Sequence, residues 1–465
     1  MSGLFGVVSK DNCKNILFYG VDYHSHLGTQ RGGLAVCDKE RKIMHRKIHD
    51  ISQSQFKSKF FDDYKDMNGN LGIGVISDMD SQPIIISSSF GNFAIVTAGL
   101  IENSRELATQ LKREGLSFSN LDDGVLNSTE IIGKLITQGN DIIDGIEKMF
   151  DKIKGSVSIL FLTEEGIYAA RDRFGHTPLV VGRKDEDYVI GSETCSFFNL
   201  GFKIEKYIGP GEIVLLTQDG LKPQKDADST NQICAFLWIY TGYPASSYEG
   251  ISVESVRERT GKCLAKNDDI KVDFASGVPD SGTAHGIGYA MGANVPFRRP
   301  LVKYTSGYGR SYTPPSQEIR DMVATMKLIP IKEVIEDNKM VLCEDSIVRG
   351  TQLRNFTVQK LWDNDAKEVH IRVACPPLMF PCKYTFSTRS IHELAARRAI
   401  KALEGKDIED VHEYIDSNSE KFRQMVEWIE KDLNVTSLRY QSLDDMVKAI
   451  GLPKESLCLY CWSGK

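Results

Sequence analysis

The chain of 465 residues is long enough for two or three domains that each bury a hydrophobic core. Hydrophobic residues make up 41% of the chain and charged residues 26%, the balance of an ordinary globular protein. The formal net charge of −6 excludes a general electrostatic attraction to nucleic acid or to an anionic membrane, and leaves room only for a local basic pocket.

The beginning of the sequence predicts a strand and no targeting signal. The segment after Met1 lacks the charged region, the apolar region and the cleavage site of a signal peptide. The chain also lacks a stretch of about 18 apolar residues that would predict a transmembrane helix. We therefore expect a cytoplasmic protein whose ten cysteines stay reduced, as core residues, metal ligands or nucleophiles.

Short strand signals separated by turn residues dominate the first half of the chain. Two helices interrupt them, at Asn103–Glu114 and at Ser128–Gln138, with Ser128 as the expected N-cap. The pattern predicts an α+β domain of stacked sheets and helices at residues 1–231, which ends in the polar stretch 218–231. The predicted strands are Leu71–Ser77, Pro83–Ser87, Phe93–Thr97, Ser156–Leu162, Gly166–Ala170, Leu179–Val181, Tyr188–Gly191 and Glu212–Leu216.

The second half, residues 232–465, alternates strands with helices, which predicts an α/β domain with a parallel sheet. Its tail is predicted to be mostly amphipathic helix, at Arg389–Gly405 and Ser419–Leu433. The other predicted elements, in chain order, are strand Lys271–Ala275, helix Thr283–Met291, strand Leu301–Tyr304, helix Ser316–Met326, strand Met340–Cys343, helix Thr351–Asp363 and strand Glu368–Ala374.

One strand end in the second half carries the strongest functional signal. The apolar strand ends in Glu344 and Asp345, and Ser346, Gly350 and Thr351 follow just before a helix. Free N–H groups and hydroxyls at a helix N-terminus suit a phosphate monoester. Adjacent carboxylates suit ribose hydroxyls or Mg²⁺. The alternative interpretation is a solvated turn with a capping serine.

The segment Asp345-Ser-Ile-Val-Arg-Gly-Thr351 resembles the phosphoribosyl pyrophosphate (PRPP) loop of type I phosphoribosyltransferases, in particular of the glutamine PRPP amidotransferase (amidophosphoribosyltransferase) family. The family's loop begins Asp-Asp and ends Thr-Thr, where this chain has Glu344 and Gln352. The resemblance covers essentially the whole chain. It implies an N-terminal-nucleophile glutaminase-like domain, then a type I phosphoribosyltransferase domain with C-terminal helices. It also implies a role in purine biosynthesis.

The resemblance assigns PRPP and Mg²⁺ to the second half of the chain. Val278–Ser281 matches the pyrophosphate-side loop, and Tyr308–Tyr312 matches the mobile lid. Arg310 and Lys327 are the candidate catalytic cations, although a solvated surface charge is the alternative for either alone. The expected PRPP-binding residues are Asp280, Ser281, Lys303, Glu344, Asp345, Ser346, Val348, Arg349, Gly350 and Thr351, and the expected magnesium ligands are Ser281, Glu344 and Asp345.

Four cysteines form a second candidate site. Cys458 and Cys461 make a Cys-x-x-Cys pair, which can ligate zinc, an iron–sulfur cluster or nothing. Cys234 and Cys382 match the other ligands in the cluster-bearing branch of the family, so the resemblance implies a structural 4Fe-4S cluster. Structural zinc and four unconnected thiols are the alternatives. The cysteines read as core residues are Cys13, Cys37, Cys195, Cys263, Cys343 and Cys375.

The family's glutaminase chemistry is missing from the matching positions of the first half. The nucleophile position holds Ser2, and Ala98 replaces the asparagine of the oxyanion hole. The segment between Asn68 and Pro83 contains no arginine for the glutamine carboxylate, and Ser128 replaces the family's aspartate. The joint loss of four groups predicts that glutamine hydrolysis is abandoned and Ser2 inactive. A single engineered substitution and an active serine nucleophile are the alternative explanations of Ser2.

The leading hypothesis is an amidophosphoribosyltransferase homologue that forms 5-phosphoribosylamine and pyrophosphate from PRPP and ammonia rather than glutamine. The ammonia would be free or delivered by another protein. The alternative is a non-catalytic regulator that binds PRPP or nucleotides, which Glu344 and the altered lid favour. A third hypothesis, transfer to another amine or base, has no base-recognition feature to support it. Homo-oligomers and nucleotide effectors are expected from the resemblance.

Overall fold

The computed structural model of the chain describes residues 2–38, 41, 43–122, 124–304, 326–384 and 390–464. The chain forms two compact units, which we call unit 1 and unit 2. Unit 1 comprises residues 1–234, 245–249 and 383–387, and unit 2 comprises residues 235–244, 250–382 and 388–465. Two short segments from the second half of the sequence therefore belong to unit 1. Among the described helices, none is long and apolar enough to cross a membrane.

Unit 1 contains two large antiparallel sheets. The strands of the seven-stranded sheet, in spatial order, are Lys203–Tyr207, Val180–Lys184, Asp187–Gly191, Ser2–Val8, Leu71–Ser77, Arg31–Asp38 and Ile43–Asp50. The strands of the six-stranded sheet are Gly220–Lys225, Ile213–Thr217, Ile167–Ala170, Gly155–Leu162, Gly91–Ile101 and Ile84–Ser88. A separate two-stranded hairpin joins Leu121–Asp122 to Val125–Leu126.

Three hydrophobic cores hold unit 1 together as layers of helix, sheet, sheet and helix. The two sheets pack against each other around one apolar cluster, because alternate residues of each strand point to the same face. The outer face of the seven-stranded sheet is covered by helices Lys14–Asp22, Phe56–Phe60, Asp63–Asp66 and Cys195–Leu200. The outer face of the six-stranded sheet is covered by helices Ser104–Arg113, Ser128–Ile136 and Ile142–Lys152.

One helix start in unit 1 differs from the expectation. Asn127, not Ser128, is the N-cap of helix Ser128–Ile136, because the Asn127 side-chain oxygen accepts a hydrogen bond from the Glu130 backbone N–H at 3.1 Å. Ser128 is therefore the first helical residue. Asparagine and serine are about equally good N-caps, so composition alone did not distinguish them.

Unit 2 is built around a four-stranded parallel sheet. Its strands, in spatial order, are Phe274–Gly277, Lys339–Glu344, Glu368–Val373 and Ser437–Tyr440. The last of these lies in the tail that was predicted to be mostly helical. It forms a strand because the short alternating segment Ser-Leu-Arg-Tyr can extend the sheet at its edge. Other short strands in the described part of the chain are Ile233–Cys234, Ser247–Tyr248, Ile251–Ser252 and Leu457–Cys458.

The predicted strand Leu301–Tyr304 is wrong as a member of the parallel sheet. Leu301–Lys303 instead pairs antiparallel with Leu328–Pro330 in a separate two-stranded ribbon. The alternation of strands and helices indicates that a strand is present, but it does not indicate which strand it pairs with. The predicted helix Ser316–Met326 lies outside the described residues, apart from Met326.

Helices surround the sheet of unit 2, and Val253–Lys266 and Thr283–Ala293 pack on each other and on the first two strands. The predicted helix Thr351–Asp363 contains a π-helical stretch, Leu353–Val358, followed by α-helix Gln359–Trp362. A second π-helical stretch spans Leu237–Thr241. The other α-helices are Lys332–Ile335, Ala395–Glu404, His412–Ile415, Glu420–Leu433, Leu443–Ile450 and Tyr460–Ser463, and 3₁₀ turns lie at Ile391–Glu393 and Lys454–Ser456.

Candidate active site

The central strand of unit 2 brings two acidic residues to the carboxyl edge of the parallel sheet. Strand Lys339–Glu344 lies between two parallel neighbours, and Glu344 and Asp345 are both buried where it ends. Ligands in open parallel sheets bind at this edge. The structure therefore places the acid pair at the end of a parallel strand, as the sequence predicted.

Hydrogen bonds join this acid pair to the loop after the neighbouring strand. Ser281 Oγ donates to Glu344 Oε1 at 3.3 Å, and the Asp345 backbone N–H donates to the same oxygen at 3.1 Å. Ser346 Oγ donates to Asp345 Oδ1 at 2.6 Å. Four of the residues expected to bind PRPP thus form one connected cluster, which we call the acid cluster: Ser281, Glu344, Asp345 and Ser346.

The electrostatics of the acid cluster are unfavourable for two bare charges. Burial raises the pKa of Glu344 well above its ordinary value, and the neighbouring negative charge of Asp345 raises it further. Hydrogen bonds from the Asp345 N–H and from Ser281 act in the opposite direction, to a smaller extent. A bound cation or a shared set of hydroxyl donors would relieve this repulsion.

Two glycines that the sequence analysis did not single out make the cluster possible. A Cβ atom on Gly282 would lie 2.1 Å from the Cys343 carbonyl oxygen, and one on Gly277 would lie 2.0 Å from the Gly282 carbonyl oxygen. The Val278 N–H also donates to the Cys343 carbonyl oxygen at 2.9 Å. The loop can therefore approach the end of the central strand only without side chains at these glycines, whose Gly-x-x-x-x-Gly spacing was the available signal.

Residues 346–351 follow the two carboxylates in the chain and contain the other residues expected to bind phosphate, and we call this segment the phosphate loop. Val348 and Gly350 are half-buried, and Arg349 and Thr351 are exposed. The Arg349 guanidinium forms an ion pair with Glu393, with 2.6 Å between Nη2 and Oε2. The structure thus turns the Arg349 side chain toward Glu393 of the tail.

The expected cations lie at different places in unit 2. Lys303 Nζ lies 2.8 Å from Oδ2 of Asp280, and both side chains are exposed. Lys327 is half-buried, and its carbonyl oxygen accepts a hydrogen bond from the Tyr304 N–H at 2.8 Å. Arg310 lies outside the described residues.

Backbone hydrogen bonds within unit 2 join segments that contain or adjoin cysteines of the candidate cluster. The N–H groups of Met379 and Phe380 donate to the Cys461 carbonyl oxygen at 2.9 and 3.1 Å, which draws the Cys382 segment to the end of the chain. The Ala235 N–H, directly after Cys234, donates to the Cys458 carbonyl oxygen at 3.4 Å. In the described part of the chain, however, no three or more His, Cys, Asp or Glu side chains form a group that could hold a metal ion.

The ten cysteines are all thiols. Cys234, Cys382 and Cys458 are half-buried and Cys461 is buried. Of the six that were read as core residues, five are buried, whereas Cys263 is half-buried on helix Val253–Lys266. The prediction for Cys263 is therefore wrong, because the charged side chains of Asp445 and Lys448 lie among its neighbours.

The nucleophile position of unit 1 contains a pair of serines. Ser2 is the first residue of its strand, and its Oγ lies 3.1 Å from Oγ of its cross-strand partner Ser77. Ala98 is buried on the strand Gly91–Ile101, and its methyl group can donate no hydrogen bond. Gly99 follows at φ +146°, where a Cβ would lie 1.9 Å from the Ser156 carbonyl oxygen.

The position where the family has its aspartate, Ser128, lies at a helix start that other polar groups hold in place. The next residue, Thr129, donates its N–H to Oδ2 of Asp80 at 3.2 Å. Thr129 Oγ1 also lies 2.8 Å from Thr97 Oγ1, directly before Ala98 in the chain. Threonine hydroxyls therefore join the strand that contains Ala98 to the helix that begins at Ser128.

Comparisons with known proteins agree with this architecture. The model of a glutamine amidotransferase domain matches residues 69–199. The amidophosphoribosyltransferase of Methanocaldococcus jannaschii is 31% identical, over 100% of this chain and 97% of its own, and that of Bacillus subtilis is 29% identical, over 100% and 93%.

Among solved structures, the glutamine PRPP amidotransferase of B. subtilis complexed with ADP and GMP matches with a TM-score of 0.84 at 28% identity, over 100% of this chain and 96% of that one. The allosteric regulatory enzyme of purine biosynthesis matches equally well, with a TM-score of 0.84 at 28% identity, over 100% and 95%. These matches confirm an N-terminal-nucleophile fold followed by a phosphoribosyltransferase fold. The chain belongs to the amidophosphoribosyltransferase family, an enzyme family of purine biosynthesis.

Proposed function

We propose that unit 2 binds Mg–PRPP and converts PRPP and ammonia into 5-phosphoribosylamine and pyrophosphate. The observation that carries this proposal is the acid cluster, in which hydrogen bonds link Ser281, Glu344 and Asp345 at the carboxyl edge of the parallel sheet. A site of this kind offers carboxylates for ribose hydroxyls beside a loop that suits a phosphate.

The chain's own residues would bind and orient the substrate. The phosphate loop would hold the 5-phosphate, and the acid cluster the ribose, so that C1 faces the incoming ammonia. The nitrogen lone pair forms the new C–N bond, the C1–O bond breaks, and pyrophosphate leaves with the electron pair. The added nitrogen then loses one proton to solvent. Lys303, Lys327 and Arg310 are the proposed cationic partners of the leaving pyrophosphate.

Magnesium is the metal that the acid cluster fits best. Its donors are all hard oxygen atoms, from the Ser281 hydroxyl and from the Glu344 and Asp345 carboxylates, which Mg²⁺ prefers. Two buried carboxyl groups without a cation repel each other, as the raised pKa of Glu344 indicates. When bound, Mg²⁺ would neutralise pyrophosphate charge.

We propose that unit 1 has lost glutamine hydrolysis. Family enzymes use a cysteine thiolate as nucleophile and a side-chain amide in the oxyanion hole, and here Ser2 meets Ser77 and Ala98 offers no donor. Loss of one oxyanion donor alone typically costs about 10²–10³ in rate. The ammonia is then free ammonia or ammonia supplied by another protein.

The ammonia assay tests this proposal directly. Purified protein is incubated with PRPP and Mg²⁺, and pyrophosphate release is measured with ammonium or with glutamine. We expect release with ammonium and background release with glutamine. Equal release with both would overturn the loss of glutaminase activity, and no release with either would overturn the enzyme proposal.

We further propose a 4Fe-4S cluster with a structural role on Cys234, Cys382, Cys458 and Cys461. The support is the donor chemistry, four thiols of one family pattern, together with the backbone hydrogen bonds that gather three of these segments in unit 2. A cluster of this kind requires reduced thiols, consistent with the cytoplasm as the proposed location. Iron and sulfide analysis with an absorption spectrum of anaerobically purified protein tests this, and a colourless, iron-free protein would contradict it.

A second candidate function is a non-catalytic regulator that binds PRPP or nucleotides. The feature that favours it is Glu344 itself, which replaces the first aspartate of the family's loop with a side chain that is one methylene longer. Calorimetric binding of PRPP without any pyrophosphate release would support the regulator. The structure of the B. subtilis relative contains ADP and GMP, so we also propose purine nucleotides as effectors and a homo-oligomer, to be tested by nucleotide titration and light scattering.

A further inference from the structure

Helix Ala395–Glu404 of the tail donates hydrogen bonds to the backbone of the phosphate loop. The Val348 carbonyl oxygen accepts a hydrogen bond from the Ala395 N–H at 2.7 Å. The Arg349 carbonyl oxygen accepts one from Nη2 of Arg398, also at 2.7 Å. Ala395 and Arg398 both lie in helix Ala395–Glu404, so this helix binds two consecutive carbonyl groups of the loop.

These two contacts fix the direction of the next two amide groups. In a trans peptide unit the C=O and N–H bonds point in opposite directions, and the bonds after Val348 and Arg349 are trans. The N–H groups of Arg349 and Gly350 therefore point away from the helix. Within the described ranges, neither N–H donates to a protein acceptor. Two adjacent, outward-pointing N–H groups are suited to the oxygens of a phosphate.

Gly350 turns the loop at a position that also lies against the tail. Its φ of +77° is in the left-handed region, which glycine adopts without steric cost. A Cβ there would lie 3.3 Å from Cδ2 of Leu433, the last residue of helix Glu420–Leu433. The loop thus turns sharply against a second tail helix as well.

Arg398 is itself held in place on its outer side. Its Nη2 lies 3.2 Å from Oδ2 of Asp432, and its guanidinium carbon lies 5.9 Å from the centre of the Trp428 ring. Asp432 also accepts a hydrogen bond from Nη1 of Arg354 at 3.1 Å. An anchored planar guanidinium gives the Arg349 carbonyl a partner of fixed direction.

We infer that Arg398 is a positioning residue for phosphate binding: by holding the Arg349 carbonyl group, it presents the N–H groups of Arg349 and Gly350 to the 5-phosphate of PRPP. The inference rests on the proposed function for the identity of this ligand. Arg398 acts through the loop backbone and does not contact the substrate.

The test uses the full-length protein and the substitution Arg398→Ala. Binding of PRPP is measured by calorimetry, and ribose 5-phosphate and magnesium pyrophosphate are used as separate competitors. We expect about tenfold weaker binding of PRPP and of ribose 5-phosphate, because a charge-assisted hydrogen bond that shapes the phosphate loop is lost. Pyrophosphate, which does not use this loop, should bind within twofold of the original protein.

Arg423→Ala is the matched control. Arg423 lies on helix Glu420–Leu433 and forms an exposed ion pair with Glu420 at 2.6 Å, away from the loop. The Arg423→Ala substitution should leave the binding of PRPP, ribose 5-phosphate and magnesium pyrophosphate unchanged. Arg398→Lys serves if Arg398→Ala does not fold. Lysine keeps the positive charge but lacks the planar guanidinium, so we expect a smaller loss of ribose 5-phosphate binding.

Two results would overturn the inference: unchanged binding of ribose 5-phosphate in a folded Arg398→Ala protein, or equal weakening of ribose 5-phosphate and pyrophosphate. Hydrogen exchange of the amides that donate to the loop carbonyl groups provides a ligand-independent measurement. These are the Ala395 N–H, which donates to Val348 at 2.7 Å, and the Arg354 N–H, which donates to Gly350 at 2.9 Å. We expect both to exchange faster in Arg398→Ala, and unchanged exchange would also overturn the inference. If the original protein binds neither PRPP nor ribose 5-phosphate, the proposed function fails, and the exchange measurement still decides whether Arg398 positions the loop.

Discussion

At the carboxyl edge of the sheet in unit 2, two buried carboxyl groups and two hydroxyls are linked by hydrogen bonds, whereas at the first strand of unit 1 one serine hydroxyl meets another. Both places keep close backbone approaches, since Gly282 and Gly99 each lie where a Cβ would contact a carbonyl oxygen at about 2 Å. The backbone is thus tightly packed at both places, which differ in the polar groups they present: carboxyl groups in unit 2 and a serine pair in unit 1. Under the proposal that unit 1 has lost glutamine hydrolysis, its fold would have been kept without its chemistry.

The largest expected effect is at Asp345. Asp345→Asn removes one of the two buried carboxyl groups that would hold ribose or Mg²⁺, so we expect ammonia-dependent pyrophosphate release to fall about 10³-fold. Asp363→Asn, an exposed aspartate of unit 2, is the control and should retain full activity. If Asp345→Asn lowered ammonia-dependent pyrophosphate release less than fivefold, the acid cluster would not be the active site of unit 2.

The buried carboxylate of Glu193 tests how much one polar network contributes to the stability of unit 1. Burial acts to raise the pKa of Glu193. His26 at 3.0 Å and the Tyr248 hydroxyl at 2.7 Å outweigh burial and lower this pKa to about 2. The carboxylate is thus more acidic folded than unfolded, so its contribution is complete above about pH 4.5 and is lost as the pH falls toward 2. We expect it to contribute about 3 kcal/mol to the free energy of unfolding at neutral pH.

Denaturant unfolding of the original protein and of Glu193→Gln between pH 5 and pH 2 measures this contribution. The substituted protein should be less stable at pH 5 and should show a shallower loss of stability on acidification. Parallel pH profiles for the two proteins would contradict the expectation.

Gly282→Ala tests the backbone of the acid cluster without removing any functional group. The added Cβ would lie 2.1 Å from the Cys343 carbonyl oxygen, so the loop that carries Ser281 must move. A displacement of this size should lower ammonia-dependent activity about 10²-fold. Gly405→Ala is the control, because at φ +73° it strains the backbone while its Cβ lies in open space, and an equal loss of activity there would argue against a local effect.

The smallest expected effect is at Ser2. Ser2→Ala removes only the hydroxyl that meets Ser77, and we expect ammonia-dependent pyrophosphate release to stay within twofold. Glutamine-dependent release should stay at background in both proteins. A glutamine-dependent rate that Ser2→Ala abolishes would identify an active serine nucleophile and would reverse the contrast.

Much of this architecture could be predicted from local patterns. The apolar run before Glu344 placed the acid pair at a strand end, and the alternation of strands and helices predicted the parallel sheet. Leu301–Lys303 was misassigned because so short a segment does not reveal which strand it pairs with. Arg398 was missed because its contact with Arg349 joins residues 49 positions apart, which no periodicity encodes.

The carboxylate of Glu193 also bears on how this protein can be divided. Two of its hydroxyl donors, Ser246 and Tyr248, come from the segment 245–249, which follows ten residues that belong to unit 2. A gene fragment that stops at residue 234 would leave a buried carboxylate without both donors, at a cost of about 1–3 kcal/mol for each unmet hydrogen bond. A fragment meant to keep this carboxylate satisfied must therefore run at least to residue 249 and carry the ten residues 235–244 of unit 2 with it.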